Sequence, residues 1–538
     1  MPLKESQTPL LTEQFIRSCK RQRRRPKVAD STGVELSGGA MLMRTLILRR
    51  FLRREILADD ESNVGVLLPP SVPALTVNAA LSLDRRVAVN LNYTASPEVI
   101  DSCIDRAGIR HVLTSRRVMN KLDIQLNTNL VMLEDVPDQL SLTDKLAGFM
   151  GSYVVPAGML VKSLRLNDLG NDDILTVVFT SGSTGLPKGV MLTYRNIASN
   201  VAGIQEAIQI NNQDVLLGIL PLFHSFGYTV TMWTVLSMLV KGVYHFNPLD
   251  ARHVGTLCRK HGVTIMLSTP TFLRSYLRRC DEGDFATTEV IITGAERLPP
   301  KIADAFETKF NVRPLEGYGC TETAPVVAAN VPQSRSGRSV VSVKPGTVGR
   351  PLPGVSAKVT HLESNKDCGP NETGMLWIKG PNIMKGYLHS PELTAQAIRD
   401  DWYMTGDLAS IDEDGFIRIS GRESRFSKIG GEMVPHIQIE EQLAALIGAS
   451  DEGIKVAVTA VPDERKGERL VVLHTGIDQS PEELCQGLRK AGFSPLFVPS
   501  PDSFLEIKEL PVLGTGKLNL KRVREIANEH FGATDETQ

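Results

Sequence analysis

The sequence predicts an α/β protein in which a large N-terminal domain of βα subdomains with parallel sheets includes a small β subdomain. A smaller α/β C-terminal domain follows. The first observation behind this prediction is that short apolar runs alternate with helix-like stretches from about residue 63 to residue 318, the pattern of βαβ units. The second is that short alternating strands replace this pattern after Gly346, and that a compact α/β pattern returns after Gly421. The third is the length of 538 residues, which is too great for one core and fits several units of roughly 150 residues.

The alternating region divides into two successive βα series. The first has strand-like runs at Val64–Leu68, Arg86–Asn90 and His111–Thr114, with helix-like stretches at Val72–Leu83 and Ser96–Ala107. The second has strand-like runs at Thr176–Thr180, Val215–Leu220, Val243–Phe246, Ile265–Ser268, Val290–Thr293 and Arg313–Tyr318, with helices near Tyr194–Ile208, Tyr228–Val240 and Ala251–His261. Strands that alternate with helices in this way are expected to pair in parallel.

We place the N-terminal domain at residues 1–421 and the C-terminal domain at residues 422–538. The Gly- and Pro-rich stretch Gly346–Gly354 begins the β subdomain, which covers about residues 346–421 and includes strands at Ser356–Thr360 and Gly374–Lys379. In the C-terminal domain, strands are expected at Ile454–Ala460 and Leu470–Thr475.

Composition and charge exclude several classes of protein. Hydrophobic content of 42%, charged content of 22% and a net charge of -1 are ordinary for a globular protein and give no field that favours nucleic acid. Two basic clusters, at residues 20–27 and 49–54, could contact anionic lipid or an acidic partner. Solvated helix faces explain them more simply, so at most peripheral membrane contact, at the inner surface of the membrane, is expected.

The chain shows features of a cytoplasmic protein. Its seven cysteines are scattered without a Cys-x-x-Cys pair, which argues against a zinc site or a disulfide framework. The N-terminus lacks the basic start and apolar centre of a signal peptide. The uncharged stretch Val215–Val240 has the length of a membrane span, but Pro221, His224 and Gly227 interrupt it.

The residues 178–190 form a strand followed by a loop suited to a polyphosphate. They read Val-Phe-Thr-Ser-Gly-Ser-Thr-Gly-Leu-Pro-Lys-Gly-Val. Glycines let the backbone approach an anion, hydroxyls donate hydrogen bonds, and a lysine adds positive charge. A P-loop is excluded because Pro187 stands where its second glycine belongs, and a flexible linker seldom follows an apolar strand. The predicted phosphate-binding residues are Thr180, Ser181, Gly182, Ser183, Thr184, Gly185 and Lys188.

Further motifs follow this loop in a fixed order. They are Gly294-Ala295-Glu296, Glu316-Gly317-Tyr318-Gly319-Cys320-Thr321-Glu322-Thr323, Tyr403-Met404-Thr405-Gly406-Asp407-Leu408, Gly421-Arg422 and Gly514-Thr515-Gly516-Lys517. In sequence and order the set resembles the adenylate-forming superfamily, which includes acyl-CoA synthetases, luciferases and peptide-synthetase adenylation domains. The resemblance covers nearly the whole chain and implies ATP and Mg²⁺ as cofactors.

The resemblance also implies roles for individual residues. Nucleotide contacts are expected from Gly294, Ala295, Glu296, Glu316, Gly317, Tyr318, Gly319, Thr321, Asp407 and Arg422, with the Tyr318 ring on the adenine and Asp407 on the ribose hydroxyls. Glu322 and Thr184 are expected to hold Mg²⁺, whose preferred ligands are oxygens. Lys517 is expected to be the catalytic cation, because carboxylate attack on the α-phosphate brings two anions together. Glu322, Asp407 and Arg422 taken singly could be surface or structural residues.

Two histidines need separate treatment. His224 matches a superfamily position that lines the acyl pocket near the carboxylate, and we count it as catalytic beside Lys517 and Glu322; a buried core histidine is the alternative. His245 and Asp250 have the His-x4-Asp spacing of glycerophospholipid acyltransferases. We interpret that pair as coincidental, because it joins a strand to a helix within the adenylation domain.

Five stretches are similar to the synthetase half of the bacterial bifunctional acyl-[acyl-carrier-protein] synthetase/2-acylglycerophosphoethanolamine acyltransferases. They are Val64–Ser71, Ala88–Tyr93, His111–Arg117, Arg425–Val434 and Leu510–Lys517. The similarity implies a stand-alone ATP-dependent fatty acid ligase, whose acceptor is the phosphopantetheine thiol of acyl carrier protein or of coenzyme A. A ligase for an aryl or short-chain acid, and a non-catalytic homologue that binds acyl-adenylate, stay open.

The superfamily also implies that the C-terminal domain is mobile and rotates between two half-reactions. Ser424 stands where many members have a Lys or Asp hinge, so the pivot is not assigned. Gly430 and Gly431 would let a pantetheine arm pass close to the backbone.

Overall fold

A computed structural model of the protein describes residues 9–180, 187–337, 341–422, 425–429, 432–448, 455–463, 466–512 and 518–532. Within these ranges the strands form a nine-stranded, a seven-stranded, a five-stranded, a three-stranded and a two-stranded sheet. Helices lie between most strands of the two largest sheets. The α/β class is therefore confirmed, with a large N-terminal part built on parallel sheets and a smaller C-terminal part.

The first part of the chain supplies six strands of the seven-stranded sheet and one edge of the nine-stranded sheet. Its strands are β1 (Pro26–Asp30), β2 (Glu35–Ser37), β3 (Asn63–Val66), β4 (Val87–Asn90), β5 (His111–Thr114), β6 (Asn129–Met132), β7 (Ile174–Thr180) and β8 (Lys188–Thr193). Its α-helices are α1 (Leu11–Arg21), α2 (Gly38–Phe51), α3 (Val72–Leu83), α4 (Pro97–Ala107), α5 (Arg116–Leu122), α6 (Val136–Gln139), α7 (Leu142–Phe149), α8 (Ala157–Ser163) and α9 (Tyr194–Ala207).

The middle of the chain supplies most of the nine-stranded sheet and the whole five-stranded sheet. Its strands are β9 (Val215–Gly218), β10 (Lys241–Tyr244), β11 (Ile265–Ser268), β12 (Val290–Thr293), β13 (Leu315–Gly319), β14 (Val326–Ala329), β15 (Arg350–Pro351), β16 (Ser356–Thr360), β17 (Gly374–Lys379), β18 (Gly386–Tyr387), β19 (Ile398–Arg399), β20 (Trp402–Ile411) and β21 (Ile417–Arg422). Its α-helices are α10 (Thr234–Ser237), α11 (Ala251–His261), α12 (Pro270–Arg279), α13 (Pro300–Phe310) and α14 (Pro391–Ala397).

The C-terminal part contains a hairpin and a three-stranded sheet. Its strands are β22 (Phe426–Ile429), β23 (Glu432–Pro435), β24 (Val456–Asp463), β25 (Gly467–His474) and β26 (Phe504–Glu506), and its α-helices are α15 (His436–Ile447), α16 (Pro481–Lys490) and α17 (Leu520–Phe531). Strand β21 crosses the predicted boundary between residues 421 and 422 by one residue, and the boundary itself stays a prediction.

The seven-stranded sheet has the order β18-β8-β7-β4-β3-β5-β6. Strands β7, β4, β3, β5 and β6 pair in parallel, as the alternating pattern predicts, whereas β8 and β18 run antiparallel at one edge. Because β7 and β8 pair with each other, the predicted phosphate loop connects two adjacent strands at the carboxyl end of β7.

The nine-stranded sheet has the order β15-β14-β13-β12-β11-β9-β10-β1-β2. Its central strands, β13 to β1 in that order, are parallel, so their carboxyl ends lie at one edge. The His224 segment follows β9, the Gly294 motif follows β12, and Gly319 ends β13. The sheet therefore brings three motifs that are distant in sequence to the edge where α/β sheets bind ligands.

One helix differs from the sequence prediction. The stretch expected as Tyr228–Val240 is a π-helical segment Phe226–Trp233 followed by α10, which ends at Ser237. Met238 is extended, and β10 begins at Lys241, two residues before the predicted strand at Val243. The reason is the parallel register with β9, in which Lys241 pairs with Val215.

The first basic cluster is not a solvated helix face. It runs from the end of α1 into β1, and Lys27 is completely buried, with Nζ donating to Ser18 Oγ at 2.8 Å and to the carbonyl of Met238. Burial lowers the pKa of Lys27 to about 8. This lysine ties β1 to the segment after α10.

Candidate active site

The two ends of the predicted phosphate loop are fixed by the β7–β8 ladder. Thr180, the last residue of β7, pairs with Lys188, the first residue of β8. Ser181, Gly182, Ser183, Thr184 and Gly185 lie outside the described residues. The ladder therefore positions Thr180 and Lys188 at the base of the loop.

Lys188 lies beside a tyrosine that contacts the predicted metal ligand. Its Nζ is 5.3 Å from the ring centroid of Tyr387, a cation–π distance. Tyr387 belongs to β18, which pairs with β8, and its hydroxyl donates to Glu322 Oε1 at 2.9 Å. Burial and the Glu322 carboxylate raise the pKa of Tyr387, so its phenol stays a proton donor. One ring thus connects the phosphate-loop lysine with the carboxylate expected to bind Mg²⁺.

Glu322 occupies a short 3₁₀ turn, Thr321–Thr323, directly after β13. Met384 N donates to the Glu322 carbonyl at 2.8 Å, which fixes the turn against the segment before β18. A carboxylate has about four lone-pair sites, and the Tyr387 hydroxyl uses one of them. The remaining oxygen capacity suits Mg²⁺, which binds few protein oxygens when phosphates supply the rest.

Tyr387 is a site residue that the sequence analysis missed. It stands 199 residues after Lys188 in a strand of two residues, and no motif marks it. The signal that could have indicated it is the apolar pair Tyr387-Leu388 between Gly386 and His389, which is too short for a periodicity argument.

Replacing Tyr387 with phenylalanine is expected to raise the KM for MgATP by about 3- to 10-fold, because a hydrogen bond to a charged group is lost while the ring stays beside Lys188. Steady-state kinetics at varied Mg²⁺ measure this change. Tyr387→Ala removes the ring as well and is expected to cost more. Equal KM values for the wild type and both variants would contradict the assignment.

A second cluster joins β13 to the five-stranded sheet. The Tyr318 hydroxyl donates to Asp407 Oδ2 at 2.5 Å, and Arg422 Nε lies 3.1 Å from Asp407 Oδ1. Asp407 in β20 and Arg422 in β21 are register partners. Asp407 is buried, and burial raises its pKa, while Arg422 opposes that shift. The cluster holds one carboxylate between a phenol and a cation, at the position predicted to bind the ribose hydroxyls.

The predicted adenine-binding segments lie together. Glu316 Oε1 accepts from Leu298 N at 3.2 Å, which links β13 to the loop after β12, and Gly294 N donates to the Ser268 carbonyl at 3.2 Å. A Cβ at Gly294 would lie 3.1 Å from the Phe226 ring, so a larger residue would displace that ring. At Gly319 a Cβ would lie only 2.1 Å from the carbonyl oxygen of Pro325. Both glycines therefore permit close approach of neighbouring segments.

The remaining predicted residues of these segments are Ala295, Glu296, Gly317 and Thr321. Ala295 has a positive φ of 68°, and Glu296 Oε2 accepts from Thr271 Oγ1 at 3.1 Å. Gly317 pairs with Ala329 of β14, and Thr321 Oγ1 accepts from Ser225 Oγ at 3.4 Å. The last contact places the segment that contains His224 against the turn Thr321–Thr323.

His224 is exposed at the carboxyl edge of the nine-stranded sheet, and its ring centroid lies 4.5 Å from that of Phe223, with the two ring planes tilted by 53°. The alternative of a buried core histidine is therefore excluded. His245 is buried instead, with Nε2 3.9 Å from Asp250 Oδ2, which is beyond a hydrogen bond. Burial lowers the pKa of His245 to about 4. Geometry and charge agree with the interpretation of this pair as coincidental.

Lys517, Ser424, Gly430 and Gly431 lie outside the described residues. The residues on either side of the Lys517 segment are described: Val512 and Leu518 form an antiparallel bridge, and Asn519 N donates to the Pro511 carbonyl at 2.8 Å. The C-terminal part contacts the loop after β12 through Arg297, whose Nη1 is 3.3 Å from both carboxylate oxygens of Glu441 in α15. Arg297 directly follows Glu296, so α15 lies beside the predicted adenine loop.

Comparison with the sequences of known proteins gives three findings. The sequence profile of the family described as AMP-binding enzyme matches residues 15–388. The chain is 32% identical over 370 residues to a long-chain-fatty-acid–CoA ligase of Bacillus subtilis (strain 168); the alignment covers 66% of this chain, and the chain spans 62% of the length of that ligase. It is 31% identical over 367 residues to a 2-succinylbenzoate–CoA ligase of Geobacillus sp. (strain WCH70), covering 67% of this chain and 71% of that ligase.

A solved structure matches nearly the whole fold. The crystal structure of ATP-bound MatB from Rhodopseudomonas palustris superposes with a TM-score of 0.77 at 26% identity, covering 97% of this chain and 100% of that one. The match includes both the parallel sheets and the smaller C-terminal part.

Proposed function

Because the chain belongs to the AMP-binding enzyme family, we propose that it is an ATP-dependent acid–thiol ligase that activates a fatty acid as acyl-adenylate. The thioester is then formed with acyl carrier protein or coenzyme A. The observation that carries the proposal is that two clusters of side chains meet at the carboxyl end of β13. Lys188, Tyr387 and Glu322 lie at the predicted phosphate end, and Tyr318, Asp407 and Arg422 lie at the predicted ribose end.

In the first half-reaction, a carboxylate oxygen of the acid attacks the α-phosphorus of ATP, and the bond to the β,γ-diphosphate breaks to release pyrophosphate. Thr180 and Lys188 hold the departing phosphates, while Asp407 orients the ribose. Glu322 and Thr184 would hold Mg²⁺, which would neutralise part of the phosphate charge there. Lys517 stabilises the extra negative charge of the pentavalent transition state.

In the second half-reaction, the thiol sulfur attacks the acyl carbonyl carbon, its proton leaves, and the acyl–phosphate oxygen bond breaks to release AMP. Rotation of the C-terminal part between the half-reactions stays part of this proposal. The exposed Arg297–Glu441 pair is an interdomain contact that such a rotation would break at little cost, since exposed ion pairs contribute about 0 to 1 kcal/mol.

A fatty acid is favoured by the name of the Bacillus subtilis relative and by the segment after His224. That segment is apolar and buried over its π-helical part, with Tyr228, Val230, Met232 and Trp233 almost inaccessible to solvent. A buried apolar segment next to an exposed histidine suits a carboxylate that carries an alkyl chain.

A ligase for an aryl acid is the second candidate, and the Geobacillus relative, a 2-succinylbenzoate–CoA ligase, favours it. Both candidates share the adenylation step and differ only in the acyl group. A non-catalytic homologue would have little use for the Lys188–Tyr387–Glu322 arrangement.

The test is pyrophosphate release across fatty acids of increasing length and across aryl acids, followed by mass detection of the product formed with coenzyme A or with holo acyl carrier protein. Release with fatty acids supports the main proposal. Release only with aryl acids would replace it with the second candidate. No release with any carboxylate would overturn the ligase assignment.

A cytoplasmic location is part of this proposal. All seven cysteines are free thiols, five of them buried. Burial raises the pKa of Cys19 and of Cys103 to about 12 in each case, so these thiols stay protonated. Such cysteines suit a reducing compartment.

A further inference from the structure

We propose that one helical face of the N-terminal part docks on the surface of an anionic lipid bilayer. The face is formed by α7, the π-helical turn Met150–Val154 that continues it, and α8. We call it the outer face and define it by six large apolar residues, Leu142, Leu146, Phe149, Met150, Val154 and Met159. The inference goes beyond the proposed ligase function and does not depend on the identity of the acid.

The outer face concentrates exposed apolar side chains. Its six members are between 40% and 83% exposed, and they make up six of the twelve exposed large hydrophobic residues in the part of the chain that the structure describes. One stripe of the helix carries four of them at successive spacings of four, three and one positions: Leu142, Leu146, Phe149 and Met150. Scattered exposed apolar residues are ordinary, whereas a contiguous patch marks an interaction site.

The opposite side of the same helix shows that this arrangement is built into the packing. A Cβ at Gly148 would lie 2.4 Å from Ile47 Cγ1, and one at Gly151 would lie 2.7 Å from Leu46 Cδ1. Ser152 Oγ donates to the Gly39 carbonyl at 2.7 Å. The helix therefore packs on α2 through small residues, and its large apolar residues face solvent. A helix that only covers a core has the reverse pattern.

Polar anchors at both ends hold the outer face in place. At the N-terminus of α7, Asp144 forms a capping box with Ser141 and accepts from Arg54 at 2.5 Å and from Arg50 at 3.2 Å. At the other end, Lys20 Nζ donates to the carbonyls of residues 151, 152 and 155 at 2.8, 3.0 and 2.6 Å. The apolar residues are thus presented on a fixed surface.

The charges around the outer face favour an anionic bilayer over a second copy of the chain. Asp144 is the only acidic residue in the stretch 142–163, and it is buried and paired with arginines. Exposed cations lie on the same helices, at Lys145 and Lys162. Arg23, also exposed, lies 5.9 Å from the Tyr153 ring and donates to the Tyr153 carbonyl at 3.2 Å. Two such faces would repel each other, whereas anionic headgroups would pair with the cations.

The outer face is expected to contact the bilayer only at its surface, as a peripheral membrane protein does. None of the helices in the described ranges is long and apolar enough to cross a membrane. An apolar face with a basic rim instead lies in the interface, with its side chains among the headgroups and upper acyl chains.

The test is co-sedimentation of the full chain with vesicles of equal parts phosphatidylcholine and phosphatidylglycerol, at low and at high salt, with pure phosphatidylcholine vesicles for comparison. The wild type is expected to bind the anionic vesicles and to bind less at high salt. Leu146→Glu/Phe149→Glu is expected to weaken binding at least about tenfold, because both side chains then oppose burial in an anionic interface. A matched control, Leu249→Glu/Leu393→Glu, places the same changes on exposed leucines elsewhere and is expected to bind as the wild type does.

The melting temperature and the rate of pyrophosphate release with a soluble acid are expected to be unchanged in both double variants. A loss of vesicle binding alone therefore tests the docking surface, whereas a loss of pyrophosphate release would concern the proposed ligase function. Equal vesicle binding by the wild type and Leu146→Glu/Phe149→Glu would overturn the proposal. Absence of wild-type binding to anionic vesicles would overturn it as well. A change in the oligomeric state of that variant, without any vesicle binding by the wild type, would assign the face to self-association instead.

Discussion

Replacement of Lys517 by alanine is expected to lower the rate of acyl-adenylate formation by about 10²- to 10³-fold, the usual cost of removing a donor that stabilises developing negative charge. Attack of a carboxylate on a phosphate joins two anions, and none of the residues that the structure describes is expected to contact both. The measurement is ATP–pyrophosphate exchange in the presence of the acid. ATP affinity is expected to change little, because Lys188 and the Asp407 cluster remain.

Two comparisons separate a catalytic role of Lys517 from a structural one. Lys521, four residues further along the chain, is an exposed lysine whose Nζ is 3.9 Å from Glu525, and Lys521→Ala is expected to leave the exchange rate unchanged. Lys517→Ala supplied with synthetic acyl-adenylate is expected to keep thioester formation, since that step lacks phosphoryl transfer. Undiminished exchange by Lys517→Ala would refute the assignment.

Much of the architecture could be predicted from the sequence because its strands and helices are short and clearly bounded. Helix Val72–Leu83, helix Ala251–His261 and strand Ile265–Ser268 have the predicted bounds. Both helices begin after a residue that favours an N-cap, since the side chains of Ser71 and Asp250 accept hydrogen bonds from the first turn. The β subdomain strands Ser356–Thr360 and Gly374–Lys379 were predicted with equal success.

The features that could not be predicted depend on contacts between distant segments. The two-residue strand β18 has no periodicity of its own and exists because it pairs with β8, so Tyr387 could not be placed beside Lys188. Similarly, β1 extends the nine-stranded sheet by pairing with β10, more than 200 residues away, and Lys27 is buried as a result. Local patterns contain no information on such pairings.

Within the candidate site, the sequence indicated which residues belong together but not how they contact. Asp407 and Arg422 were predicted through separate motifs, and the β20–β21 register shows why both occur, since the two residues lie opposite each other. The contact between the Tyr318 hydroxyl and Asp407 adds a second hydrogen bond to the same carboxylate. The stacking of the Tyr318 ring on adenine stays a prediction.

Replacement of Asp407 by asparagine is expected to raise the KM for ATP by about 10- to 100-fold, because hydrogen bonds to a charged group are each worth about 1.5 to 3 kcal/mol. Asparagine keeps the shape and size of the side chain, so the change isolates the charge. Tyr318→Phe is the matched comparison: it removes one donor to Asp407 and leaves the carboxylate, so a rise of only a few-fold is expected. Equal KM values for ATP in the wild type and Asp407→Asn would contradict the ribose-binding role.

The same substitution has a pH signature. Burial raises the pKa of Asp407 above that of the unfolded chain, so the native state binds the proton more tightly, and folding stability falls as pH rises from the unfolded value through the native value. ATP binding requires the carboxylate and has the opposite dependence: in the wild type, affinity is lost as pH falls through the raised native pKa. Asp407→Asn has no proton to exchange at this position. The ATP affinity of Asp407→Asn is already weak at neutral pH and is therefore expected to stay constant as the pH falls. The ATP affinity of the wild type declines over the same acidic range. Calorimetric titration with ATP across that range measures the difference.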